Sequence, residues 1–196
     1  MAVLAVNLTN EGRKGSPVLE EQERERFEGC VLPHLDAAFN LARWLLRDRH
    51  DAEDVAQEAM LRAYRFFQTY RAGDPRAWLL QIVRNCCYDW LQKKRPSDLQ
   101  DELQEESLPS KELSPEALAL ASQDRSRLAT ALGSLPAHFR EFLVLRELEG
   151  CSYKEIAAIT SRPIGSVMSG LARARQQLRE ALVAQEQTRK EARRAV

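Results

Sequence analysis

Arginines and aromatic rings are the side chains in this sequence whose spacing suits a polyanion. Counted along a helix from Pro75, the residues Leu79, Ile82, Val83, Cys86 and Trp90 form one apolar stripe, and Arg84, Tyr88 and Arg95 fall on the opposite side. A segment holding Tyr70 and Arg71 lies just before it. Guanidinium groups neutralise phosphates and rings stack on bases, so this face fits single-stranded nucleic acid. A plainer reading, in which Tyr88 caps a small core, stands beside it. Trp78 and Trp90 read as packing residues.

A second constellation lies further along the chain. Val167, Leu171, Ala174 and Leu178 make a narrow stripe, with Ser166, Ser169, Arg173 and Gln176 opposite and Met168, Arg175 and Arg179 on the flank. Small hydroxyl residues allow a close backbone approach to duplex DNA while arginine reaches guanine edges or phosphates. The competing reading is the solvated face of a bundle helix. A third face carries Asp54, Gln57 and Gln68 around Leu61, an exposed leucine ringed by acids and amides that fits either a protein contact or an ordinary surface.

Signatures of catalysis are missing. The sequence has no phosphate-binding glycine loop and no nucleophile and base pairing. His34, His50 and His138 are scattered, and nothing near Cys30 and His34 completes a zinc ligand set. No enzymatic activity, metal or cofactor is expected. Cys30, Cys86, Cys87 and Cys151 have no framework spacing and read as reduced thiols. Met1 to Val6 has no basic residue before it and stops at Asn7, and no apolar run approaches the roughly 20 residues of a membrane span. A cytoplasmic protein without membrane insertion is expected.

The elements that must position these residues are all helical. The 196 residues are 44% hydrophobic and 30% charged, a soluble composition with room for one domain or two small ones. No hairpin turn signal or sustained alternation marks a strand. Phe27, Val31, Leu35, Ala38, Ala42 and Leu45 place a first helical stripe up to about Arg47, interrupted at Pro33. Asp51 is placed to cap the second helix, which buries Ala52, Val55, Ala56, Ala59, Ala63 and Phe66. Asp74-Pro75 starts a third helix reaching about Arg95.

Charge divides the rest. Lysine plus arginine balances aspartate plus glutamate at 29 each, yet Asp98 to Asp124 holds eight acids against Lys111 alone. From Arg162 onward there are eight basic residues against three acids. The acidic, proline-containing tract reads as a flexible linker. Beyond it come helices over about Pro115 to Leu132 and Ala137 to Leu148. A capping-box helix at Ser152-Tyr-Lys-Glu155, a turn at Thr160 to Pro163 and a longer helix from Ile164 to about Ala184 complete the pattern. Short helix, tight turn and basic helix make a helix-turn-helix. The expected fold is therefore all-α, two small helical domains joined by an acidic flexible linker.

The ordered motifs carry a resemblance. Asp51-Ala-Glu-Asp-Val-Ala-Gln-Glu-Ala-Met-Leu-Arg-Ala-Tyr64, Ala77-Trp-Leu-Leu-Gln-Ile-Val-Arg-Asn85 with Asp89, Leu135-Pro136, Ser152-Tyr-Lys-Glu-Ile-Ala157, Gly165-Ser-Val-Met-Ser169 and Ala172-Arg-Ala-Arg175 follow one another. Over about Phe27 to Leu182 the chain resembles a bacterial extracytoplasmic-function (ECF) sigma factor of the sigma-70 superfamily. The resemblance implies a specificity subunit of RNA polymerase, without catalysis of its own, that directs promoter recognition and melting. It divides the chain into an N-terminal extension (1–26), a region 2-like domain (27–96), the linker (97–114), a region 4-like domain (115–184) and a tail (185–196).

By the same resemblance, Asp54, Gln57, Glu58 and Leu61 dock on core polymerase. Tyr70, Arg71, Asp74, Arg84, Asn85, Tyr88 and Arg95 capture a flipped base of the minus-10 element and hold the melted strand. Ser166, Met168, Ser169, Arg173 and Arg175 read the minus-35 duplex. Core RNA polymerase and promoter DNA are the implied partners, and an anti-sigma factor is a common one in the family. The chain departs from the family pattern at Met168 and Gly170, where basic residues are usual, and at Ser161, where glycine is frequent. The alternative that stands beside this is a free-standing helix-turn-helix regulator, and a helical adaptor with no DNA role is a third.

Overall fold

Pro33 sets the first break in the fold. In the computed structural model, which describes residues 21–70, 73–94 and 115–194 with the side chains of 115–123 and 193 excepted, helix α1 (Glu21–Val31) ends one residue before a 3-10 turn at Leu32–His34. Helix α2 (Leu35–Leu46) restarts beyond it and closes at Arg47 in the left-handed conformation. The helical start at Glu21 takes six residues from the expected 1–26 extension.

Asp48, rather than Asp51, caps α3 (Arg49–Phe66). Its carboxylate accepts the Asp51 backbone N–H at 2.8 Å, and the Asp51 side chain instead pairs with Lys94. Both acids suit a helix start, but only Asp48 has the extended backbone of a cap. Asp74 caps α4 (Pro75–Lys93) by accepting from the N–H groups of Arg76 and Ala77. Phe27 lies edge-on to Tyr64 and Phe67, with centroids 5.3 and 5.2 Å away, which fastens α1 to the end of α3.

The second set comprises α5 (Pro115–Ser134), α6 (Ala137–Leu143), a π turn at Val144–Leu148, α7 (Tyr153–Thr160) and α8 (Ile164–Arg194). Ser152 and Glu155 form the expected capping box at the start of α7. Ser161 takes a left-handed φ of 53° to close that helix. Helix α8 continues ten residues past the expected end at Ala184, so the tail placed at 185–196 forms its last turns as far as Arg194. No strand occurs among the described residues.

The two sets pack against each other. Leu79, Leu80 and Val83 of α4 share one continuous core with Phe142, Leu145, Ile156, Ile159, Val167 and Leu171. Leu80 and Cys87 are therefore buried although they lie off the stripe read from the sequence. Across the same boundary the buried Arg140 guanidinium donates to the Leu45 carbonyl at 3.2 Å and to the Gly133 carbonyl at 3.0 Å. Desolvation lowers its pKa to about 10.

Candidate nucleic-acid and polymerase interface

Helical periodicity puts Asp54, Gln57, Glu58 and Leu61 on one side of α3, at spacings of three and four residues. All four are exposed, Leu61 to 43%, because Ala52, Val55, Ala56, Ala59 and Ala63 turn the other side inward. Glu58 accepts from Arg62 at 2.8 Å, and Arg62 also reaches Asp89 at 3.1 Å, so the acidic rim is tied to α4. Phe66, 56% exposed at the end of the helix, adds an apolar residue that the sequence reading had assigned to the core.

The residues read as strand-binding are only partly together. The Tyr70 hydroxyl donates to the Gly73 carbonyl at 2.6 Å, and its ring lies against Phe67 and Trp78 at 5.9 and 5.0 Å. Asp74 is engaged at the start of α4, and Asn85 is exposed. Arg71 and Arg95 lie outside the described residues.

Arg84 and Tyr88 face the second domain. Both reach the carboxylate of Glu141, the Tyr88 hydroxyl donating to Oε2 at 3.0 Å and the Arg84 guanidinium to Oε1. The Arg84 guanidinium also covers the Tyr88 ring, 4.6 Å from its centroid. Burial, then the charge of Glu141, pushes the Tyr88 phenol well above its ordinary value. Burial raises Glu141 as well, opposed first by the charge of Arg84 and then by its hydrogen bonds. Neighbouring cross-domain contacts join Arg76 to the Glu149 carboxylate at 2.6 Å and Gln81 to the Ser161 hydroxyl at 3.1 Å. Nothing in the sequence marked Glu141 or Glu149 as partners of α4, since one acid in an amphipathic helix looks like any other.

Helix α8 presents the third surface. Ser166, Met168, Ser169 and Arg173 are exposed around its first turns, and Val167, Leu171 and Ala174 anchor the opposite side. Ile164 and Met168, 47% and 53% exposed, lie one turn apart and give this end an apolar character. Arg175 instead pairs with Glu147 through Nη2 at 2.7 Å and Nε at 3.0 Å, which ties α8 to the π turn. Among the described residues no group of three potential ligands could hold a metal ion, and no helix is long and apolar enough to cross a membrane.

Comparison with known proteins identifies this arrangement. Residues 30–97 match the family model of sigma-70 region 2, and residues 125–178 match that of sigma-70 region 4. The ECF RNA polymerase sigma-E factor of Escherichia coli K12 is 41% identical over 137 residues, covering 64% of this chain and 71% of that relative. The chain belongs to the ECF sigma-factor family. Another ECF sigma factor, SigE of Mycolicibacterium smegmatis, is 37% identical over 159 residues, covering 80% of this chain, and the chain spans 61% of that relative's length.

Solved structures agree with the fold of this sigma factor. RpoE of Bartonella quintana, crystallised with the anti-sigma factor NepR, superposes with a TM-score of 0.64 at 30% identity, over 81% of this chain and 97% of that one. CnrH in complex with the cytosolic domain of CnrY gives 0.59 at 26% identity, over 82% and 90%. The family's members direct promoter-specific transcription initiation as non-catalytic subunits of RNA polymerase, and both characteristic regions are present here.

Proposed function

We propose that this chain acts as a cytoplasmic, non-catalytic sigma factor, binding core RNA polymerase and directing promoter recognition and melting. The observation that carries this reading is the order of region 2 and region 4 in one chain, each with an exposed helical face of suitable chemistry. The α3 face of Asp54, Gln57, Glu58 and Leu61 docks on core polymerase. Tyr70, Arg71, Asp74, Arg84, Asn85, Tyr88 and Arg95 serve the melted minus-10 strand, Asp74 by fixing the start of α4. Ser166, Met168, Ser169 and Arg173 meet the minus-35 major groove, and Arg175 holds α8 to the π turn. The division into domains at 27–96 and 115–184, bridged by 97–114, belongs to the same proposal.

An anti-sigma factor is part of the reading, supported by the two solved relatives captured with such proteins. The test is gel filtration with bacterial core RNA polymerase, followed by transcription from a promoter library. Co-elution and new start sites are the expected result. Failure to co-elute, with duplex binding by the free protein, would make the chain a free-standing helix-turn-helix regulator instead.

A further inference from the structure

Glu141 is 0% exposed, and the groups that satisfy its carboxylate, Arg84 and Tyr88, both come from the other domain. The same two side chains form the face of α4 assigned above to the promoter strand. A carboxylate accepting from a guanidinium and a phenol presents what a phosphodiester presents, two anionic oxygens with lone pairs toward the donors. Both occupants cannot be accommodated together. The Arg84 guanidinium lies over the Tyr88 ring, so one face of that ring is also closed to a base.

The surrounding contacts hold this arrangement as a unit. Arg76 donates to both the Glu149 carboxylate and the Glu149 carbonyl, at 2.6 and 2.7 Å, and Gln81 reaches Ser161. A buried acid deprived of its cation is strongly unfavourable, so Glu141 is stable either matched to α4 or released to water. Two states follow, closed and open.

Resting on the strand-binding reading of α4, we propose that Glu141 is an intramolecular stand-in for a promoter-strand phosphate. With the domains together it fills the anion site of Arg84 and Tyr88, and single-stranded DNA enters that site only after α6 has moved away.

The test uses the full chain carrying a donor and acceptor fluorophore on α3 and near the end of α8, with a labelled mixed-sequence DNA single strand as probe. Glu141→Gln keeps the shape and removes the charge. Lower energy transfer and strand binding about tenfold tighter are expected if the open form is about a tenth of the wild-type population. Adding Arg84→Ala should reverse that gain. Glu149→Gln should act in the same direction and less strongly, and it carries the test if Glu141→Gln loses cooperative unfolding.

Unchanged transfer and affinity in the folded variants would overturn the proposal, and so would opened domains with no gain in affinity. Promoter-directed transcription by the wild type with core polymerase separates this from the functional reading. Transcription that depends on Arg84, with the free variants unaffected, would overturn the stand-in alone. Absence of transcription would overturn the sigma reading itself.

Discussion

Gly170 lies against the ring of Phe142 so closely that a Cβ on it would sit 2.9 Å from Cδ2 and 3.0 Å from Cζ. The basic residue usual in the family at this position has no room while Phe142 keeps its place. Gly170→Ala is expected to destabilise the chain by about 1–3 kcal/mol through overpacking. Phe142→Leu should recover much of that loss in the double variant, as read from a thermodynamic cycle in urea.

Leu61 offers a clean surface test. Leu61→Asp should abolish co-elution with core polymerase while leaving the unfolding midpoint nearly unchanged, since the side chain is 43% exposed. Retained affinity would remove α3 from the docking surface.

Arg173 and Arg175, two residues apart, should behave differently. Arg173→Ala is expected to weaken transcription from promoters that depend on the upstream element, with polymerase binding intact. Arg175→Ala breaks the pair with Glu147 and should lower stability by less than about 1 kcal/mol, the range of exposed pairs. Equal effects of the two on promoter choice would contradict the division of roles.

An apolar side chain in a major groove meets the thymine methyl. At a minus-35 position where thymine faces Met168, replacing it by uracil deletes only that methyl and should cost wild-type holoenzyme about 0.8 kcal/mol, a factor of about four in affinity. Met168→Ala should make the two bases equivalent there. Discrimination that survives in the variant would place the contact elsewhere.

Glu155 reports on acid stability. The Ser152 hydroxyl and backbone N–H hold its carboxyl below the ordinary value of 4.5. The unfolded chain therefore takes up the proton first as pH falls, and the contribution of the capping box, complete above about pH 4.5, is lost as pH drops through the folded pKa. Thermal unfolding between about pH 6 and about pH 3 should show a flatter acid limb for Glu155→Gln than for the wild type.

The helices were legible because their signals are local. Asp74-Pro75 and Ser152 to Glu155 start helices where their chemistry requires. The Val167, Leu171 and Ala174 stripe is buried as its period implies. Cross-domain pairings were not legible. Leu80 and Cys87 fell off the α4 stripe because a second domain covers that side, and periodicity reads one buried face at a time. Arg84 and Tyr88 were recognisable as an anion-binding pair, but no spacing rule connects them to an acid more than fifty residues away. Asp48 and Asp51 suit a helix start equally by residue type, and the distinction between them is a backbone angle. The last turns of α8 lack an apolar stripe to extend the pattern, yet Gln, Glu, Lys, Arg and Ala all favour helix.

Arg140 binds no carboxylate in joining the domains; its acceptors are the main-chain oxygens at the ends of α2 and α5. Mutational drift in the side chain of Leu45 cannot erase its acceptor, because every amino acid supplies the same carbonyl. Nor does the bond depend on a carboxylate's charge, as the contacts of Glu141 and Glu149 do. Beside the shared apolar core and the carboxylate contacts, this fastening adds a hold on α2 that is indifferent to the side chain at the position it grips. Of the two positions this bond joins, only Arg140 is constrained in residue type.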